Sequence, residues 1–275
     1  KGVVISQRAV IDYVDWFAET FAIDDTVILG NQAPLYFDLS IQDVYLPMKT
    51  GCSTQLISVE HFSFPIKLMQ YLWERHINVI VWVPTALCLV ANLKALQAKN
   101  LPKLKKILFC GEVMPNKQLN QWRKSFSSAI FANLYGPTEV TEVCTYYLIN
   151  RTFREEESLP IGYPCRNSAV IVLDENNHLV QNGEIGELCV RGTCLSYGYY
   201  NNLIKTTEVF VQNPLNDKFP EKIYRTGDLV RYNEYGELVY VCRKDFQIKH
   251  MGHRIELGEI ETAVSAIDAV DANCC

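Results

Sequence analysis

The chain has 275 residues, 48% of them hydrophobic, and a formal net charge of −5, enough for a sizeable core in one large or two smaller domains. That charge offers no basic footprint for nucleic acid or an anionic membrane surface. The longest apolar run, roughly 13 residues from Val79 to Ala91 and broken by Pro84, falls short of the ~20 that a membrane-spanning helix needs. No nucleic-acid partner and no membrane insertion are expected. The ten cysteines form no Cys-x-x-Cys pair, and most, such as Cys88, Cys110 and Cys189, sit in apolar runs. Reduced core thiols in a cytoplasmic protein are expected rather than a disulfide framework.

Ser6 caps a predicted helix over 7–21, in which Val10, Ile11, Val14, Phe17 and Ala18 keep helical spacing. A short strand over 26–29 follows, then a helix opened by Asp38 or Ser40 and closed by Gly51. Strands are predicted over 54–59, 78–83 and 106–110, and helices over 65–76, 84–98 and 115–126, with Pro65 in a first turn. The apolar run from Ala129 to Leu134 suits a further buried strand. This alternation implies a mostly parallel sheet flanked by helices. After Asn150 the rhythm changes to short β-rich runs over 169–173, 187–191, 229–232 and 237–241. Glu175-Asn176-Asn177 and Glu234-Tyr235-Gly236 read as hairpin tips. An antiparallel, β-barrel-like subdomain is expected there, and then a strand over 246–250 and a helix from about Leu257. The fold class is therefore α/β: a mostly parallel sheet, a small antiparallel subdomain, and the start of an α+β C-terminal domain. The expected divisions are 1–165, 166–244 and 245–275.

One stretch concentrates chemical groups. Asn133-Leu134-Tyr135-Gly136-Pro137-Thr138-Glu139 ends a buried strand abruptly at Gly136-Pro137 and leaves a hydroxyl beside a carboxylate at the mouth of the sheet. Alone, this is either a capped surface turn or a grip for an Mg²⁺–phosphate group. It resembles the fifth core motif of the adenylate-forming enzymes, the superfamily of amino-acid adenylation domains, acyl-CoA synthetases and luciferases. Four further motifs occur in that family's order. Phe37-Asp38-Leu39-Ser40 resembles the fourth, Gly186-Glu187-Leu188-Cys189-Val190-Arg191-Gly192 the sixth, and Tyr224-Arg225-Thr226-Gly227-Asp228-Leu229 the seventh. Arg243-Lys244-Asp245 through Gly258-Glu259-Ile260-Glu261 resembles the eighth.

The resemblance implies amino-acid adenylation with ATP and Mg²⁺, followed by thioester transfer to a phosphopantetheinylated carrier protein. It implies Thr138 and Arg243 on phosphate, Glu139 on Mg²⁺, and an adenosine site of Gly111, Glu112, Asn133, Tyr135, Gly136, Asp228 and Arg243. Asp38 would face the α-ammonium of an amino-acid substrate, a role acyl-CoA synthetases generally lack. The side-chain pocket would comprise Leu39, Gln42, Val81, Leu108, Cys110, Leu134, Glu142 and Val143. Asp245 would be a hinge, beyond which Gln247, Lys249 and Gly252 approach the site. Phe109 to Pro115 is very similar to D-alanine–carrier protein ligases, whereas Glu142 departs from an alanine-sized apolar pocket. D-alanine ligase and peptide-synthetase adenylation domain both stay open, with an acyl-CoA or aryl-CoA ligase and an inactive nucleotide-binding fragment as alternatives. Lys1-Gly2-Val3-Val4 resembles the end of the family's phosphate loop, so the chain is expected to be a piece of a longer protein, with poor activity by itself.

Overall fold

The structure, a computed structural model, describes residues 2–97, 102–244, 247–250, 253–257, 260 and 264. In chain order the elements are β1 (Val3–Val4), α1 (Gln7–Thr20), β2 (Ile28–Asn31), α2 (Ile41–Thr50), β3 (Ser53–Leu56), α3 (Val59–Ser63), α4 (Pro65–Glu74), β4 (Val79–Trp82), α5 (Pro84–Asn92), β5 (Lys106–Cys110), α6 (Asn116–Ser125), β6 (Ile130–Tyr135), β7 (Thr145–Leu148) and β8 (Tyr163–Pro164). There follow β9 (Ser168–Leu173), β10 (Gly186–Gly192), β11 (Gly198–Tyr199), α7 (Leu203–Val209), β12 (Phe210–Gln212), β13 (Lys222–Tyr232), β14 (Leu238–Arg243), β15 (Gln247–His250) and β16 (His253–Glu256).

A seven-stranded sheet runs β3-β2-β4-β5-β6-β7-β8. Its first five strands are parallel, and β7 and β8 pair antiparallel. β4 and β5 are buried along their whole lengths, because a parallel sheet covered on both faces favours near-continuous apolar runs; the one charged residue in them, Lys106, donates from its ammonium to Ala22 O. A five-stranded antiparallel sheet, β12-β13-β10-β9 with β14 beside β13, forms a second core. β1 pairs with β11, and β15 with β16.

Local signals place most element ends. Ser6 accepts the Ala9 N–H at 3.0 Å, and Gly51 closes α2 in the left-handed conformation at φ 75°. Other expectations shift. The helix predicted over 84–98 ends at Asn92, with Lys94 at φ 58° and a short 3₁₀ turn at Ala95–Gln97 after it. The inward face of α1 carries Tyr13, Val14, Trp16, Phe17 and Ala18, while Ile11 is exposed. The aromatic cluster of Tyr13, Trp16, Phe17, Phe21 and Tyr146 outweighs the aliphatic spacing that pointed to Ile11. No disulfide joins the described cysteines, most of which are buried. Among the described residues, no helix is long and apolar enough to cross a membrane.

The two large sheets are clasped together. Ile161 N–H donates to Leu238 O at 2.8 Å. Arg151, in the loop after β7, makes two 2.7 Å bonds to the buried Glu237 carboxylate at the start of β14, and its guanidinium lies over Phe153 and Tyr235. Hydrogen bonding to Arg151 is the main cause that holds the Glu237 carboxyl below its ordinary range. Removing one partner of such a pair strands a buried charge at a cost of about 3–5 kcal/mol. Arg151→Ala is therefore expected to lower the thermal midpoint by roughly 10 °C, and Arg151→Lys, which lacks the planar fork, to recover only part of it. A midpoint within 2–3 °C of the parent, on the order of 1 kcal/mol, would show that the clasp contributes little.

Candidate functional site

The parallel strands β4, β5 and β6 end at neighbouring positions and are followed by Val83, Gly111 and Gly136. Ligands of open α/β sheets settle at such carboxyl ends. A cleft of about 680 Å³, open mouth included, lies there, within the usual range for small-molecule sites. The turn before α2 contributes Phe37, Asp38 and Leu39. Val83, Cys110 and Gly111 come from the strand ends, and Gly136, Pro137, Thr138 and Glu142 from the loop after β6. Asp228 and Arg243 reach in from β13 and β14, and Gln247 from β15.

Of the residues singled out in the sequence, Asp38, Leu39, Cys110, Gly111, Gly136, Thr138, Glu142, Asp228 and Arg243 stand on these walls. Gln42, Val81, Leu108, Leu134 and Val143 are buried behind them. Glu112 accepts from Thr85 N–H at 2.9 Å and Thr85 Oγ1 at 2.6 Å, capping the start of α5. Asn133 is buried and donates to Pro160 O at 2.8 Å. Asp245 and Gly252 lie outside the described residues. Gly111 adopts φ 101°, which favours glycine at the place where the chain turns past the cleft.

Asp228 sits at the centre of a buried network. Tyr135 donates its hydroxyl to Asp228 Oδ2 at 2.5 Å, and Arg243 Nη1 donates to Oδ1 at 2.9 Å. Burial first, and then the Asp228 charge, pushes the Tyr135 phenol well above its ordinary range, so it keeps its proton and acts as donor. A carboxylate offers about four lone-pair positions. Two more donors, such as a pair of vicinal hydroxyls, can therefore be accommodated. Asp228 is aimed into the cleft by a kink in β13: Gly227 adopts φ 73°, its N–H donates to Glu187 Oε1 at 3.2 Å, and Glu187 also takes Arg225 at 2.7 Å. The sequence reading did not give Glu187 this positioning role. The signal available was its place opposite Leu229, beside the bulge that carries the Thr-Gly-Asp segment, which becomes visible only once β10 and β13 are paired.

Glu139 is completely buried behind Thr138, and its Oε1 accepts the Tyr199 hydroxyl at 2.5 Å. Tyr199 was also missed, because it lies in the two-residue strand β11, too short for any periodic pattern.

In α2, Asp43 is buried, and among the described residues the Asn31 amide, 2.8 Å away, bonds its carboxylate. Desolvation raises the Asp43 pKa from 3.8 to about 7. The folded carboxyl keeps its proton up to about pH 7, whereas the unfolded one releases it near 3.8. Its contribution to stability is complete below about pH 4 and is lost as pH rises to 7, by about 4 kcal/mol at most. Asp43→Asn is expected to flatten the decline of the thermal midpoint between pH 4 and 7; an unaltered slope would rule this out.

The loop after β6 is tightly wound. Thr141 and Glu142 adopt φ 57° and 71° in succession, a conformation uncommon for residues other than glycine and strained for β-branched Thr141. Thr141 Oγ1 donates to Cys194 O at 2.8 Å. A Cβ on Gly136 would lie 2.2 Å from Glu142 O, so only glycine allows the loop to fold back on itself there. The result is a Glu142 side chain held in the cleft wall with 2% of the residue exposed.

A sequence profile of the family described as AMP-binding enzyme matches residues 1–200. Vanchrobactin synthetase VabF of Vibrio anguillarum is 32% identical over 279 residues, covering 98% of this chain and 10% of that protein. A D-alanine–D-alanyl carrier protein ligase of Bacillus mycoides is 33% identical over 274 residues, covering 98% of this chain and 53% of the ligase. Among solved structures, the adenylation domain AlmE of Vibrio cholerae, in complex with glycyl-adenosine-5'-phosphate, superposes with a TM-score of 0.88 at 26% identity, covering 98% of this chain and 50% of that one. IdnL1 superposes with a TM-score of 0.88 at 25% identity, covering 98% and 56%. The chain spans about half the length of the ligases it matches and a tenth of the synthetase.

Proposed function

The chain belongs to the AMP-binding enzyme family, and from that premise we propose that the protein activates an amino acid with ATP, giving aminoacyl-AMP and pyrophosphate, and then passes the aminoacyl group to the thiol of a carrier protein. The observation that carries this reading is that Asp38 shares one cleft with Thr138, Asp228 and Arg243. An acid suited to an α-ammonium faces the groups suited to a nucleotide.

In the first step a substrate carboxylate oxygen bonds to the α-phosphorus as the bond to pyrophosphate breaks. Both partners are anionic, so the protein's task is to position them and stabilise charge. Asp38 would hold the ammonium, and Thr138 would donate to an α-phosphate oxygen. Asp228 would accept the ribose hydroxyls, with Arg243 and Tyr135 fixing its orientation. Among the described residues no group of three or more His, Cys, Asp or Glu forms a metal cage. Mg²⁺ is commonly held by one or two carboxylates together with substrate phosphates, so a single acid next to the phosphate-binding turn is enough. Glu139, next to Thr138, is the carboxylate that would hold the ion, which when bound neutralises phosphate charge.

The proposed divisions at 165/166 and 244/245 fall where the first sheet ends at Pro164 and where β14 ends at Arg243, with a hinge at Asp245. Gln247 on the cleft wall supports a C-terminal unit that works against the site. The carrier-protein partner is supported by the name of the ligase relative, and a cytoplasmic location by the need for ATP. ATP–pyrophosphate exchange on the full-length protein, run across amino, fatty and aryl acids, tests the reading. Exchange with amino acids is expected; exchange with fatty or aryl acids alone would end it.

A further inference from the structure

Glu142 stands out among the acids of the cleft because it is buried without a cation among the described residues, with the Tyr13 hydroxyl as a polar neighbour. Neither carboxylate oxygen makes a hydrogen bond of good geometry: the Tyr13 hydroxyl is close enough to favour the charged form of Glu142 but donates to Gln42 Oε1 at 3.1 Å. A buried carboxyl left unsatisfied costs free energy whether charged or neutral, and a buried carboxylate without a cation costs most. Among the described residues that line the cleft, Arg243 is the cationic one, and it is engaged by Asp228. The chain nevertheless holds Glu142 in place through two successive left-handed residues and a glycine contact that admits no Cβ. Strain of this kind persists where the surrounding structure imposes it, commonly at ligand sites.

Resting on the amino-acid-activating function proposed above, we infer that Glu142 is a specificity-determining residue and that the substrate is an amino acid with a cationic side chain, a primary amine or guanidinium. Two of the three acids on the cleft walls then match the two cationic groups of one ligand: Asp38 takes the α-ammonium and Glu142 the distal charge, while Asp228 is engaged by Tyr135 and Arg243. Leu39, Val83 and Cys110, also on the walls, offer an apolar path for the intervening methylenes. Burial first, and then the nearby Asp38 charge, raises the Glu142 carboxyl well above its ordinary range. A ligand cation relieves both effects, and a neutral side chain relieves neither. An alanine or glycine side chain would leave Glu142 buried and unpaired.

The test is ATP–pyrophosphate exchange on the full-length protein with matched pairs, lysine against norleucine and ornithine against norvaline, in both chiral forms, alongside glycine and alanine. The cationic member of a pair is expected to exceed its neutral partner in kcat/KM by at least ~100-fold, because a site built around a polar group discriminates strongly against a ligand lacking its counterpart. Glu142→Gln keeps the shape, removes the charge, and should erase most of that ratio while the KM for ATP stays close to the parent's. A purely structural role for Glu142 would instead lower exchange with all amino acids alike and would overturn the inference. Preference for glycine, alanine or another neutral amino acid, unchanged in Glu142→Gln, would also overturn it while leaving amino-acid activation standing. Exchange confined to fatty or aryl acids would overturn both.

Discussion

Asp228→Ala is expected to raise the KM for ATP in the exchange reaction by about 100- to 10,000-fold. Two hydroxyl donors to a charged acceptor contribute roughly 1.5–3 kcal/mol each, and every 1.4 kcal/mol is a factor of ten. The substitution also removes the shared acceptor of Tyr135 and Arg243, both held to Asp228 in a site where its side chain is 8% exposed. A lower thermal midpoint should accompany the kinetic loss. Asp228→Asn separates these effects: its amide oxygen can still accept one donor, so the fold is largely retained while the second hydroxyl is left facing an N–H group. The expected order of ATP KM is parent, Asn, Ala. An ATP KM within three-fold of the parent in Asp228→Ala, on the order of the scatter for an incidental contact, would remove Asp228 from the nucleotide site.

Glu139→Gln is expected to lower kcat by about 100- to 1,000-fold, the usual range for loss of a group that stabilises transition-state charge. The glutamine oxygen can still accept the Tyr199 hydroxyl, so the packing around this fully buried position is preserved. What disappears is the negative charge that would attract the divalent ion. A titration of Mg²⁺ in the exchange assay should therefore need higher concentrations to saturate, a shift that a packing defect would not produce. Tyr199→Phe supplies the contrast, since it deletes the hydrogen bond and keeps the charge. If Glu139→Gln lowers the rate with an unchanged Mg²⁺ dependence, Glu139 acts by placing the Thr138 turn and not through the ion.

Strand β5 appears at its predicted bounds, Lys106–Cys110, because an apolar run from Ile107 to Cys110 closed by Gly111 has few alternatives. The turn at Gly136-Pro137 and the acids Asp38 and Asp228 were legible because motif spacing carries them. By contrast, Thr226-Gly227-Asp228 read locally as a turn before a strand over 229–232. The structure instead runs one continuous β13 from Lys222 to Tyr232 through it. Glycine and aspartate disfavour a strand over a window of a few residues, but Glu187 binds the kinked backbone from a neighbouring strand and keeps the ladder going.

Composition and periodicity by themselves determined the α/β class and the antiparallel sheet after Asn150, but not β7, where the first sheet already turns antiparallel. Both depend on interactions over a few residues or on residue type alone, whereas most groups in the cleft were legible through the resemblance of the motifs. Tertiary structure alone decided which face of α1 turns inward, that Tyr135 pairs with Asp228 across 93 positions, and that Glu142 is buried in the cleft with neither oxygen bonded. Those outcomes follow from desolvation and from which donors the packed fold brings within reach, and neither is encoded in spacing along the chain.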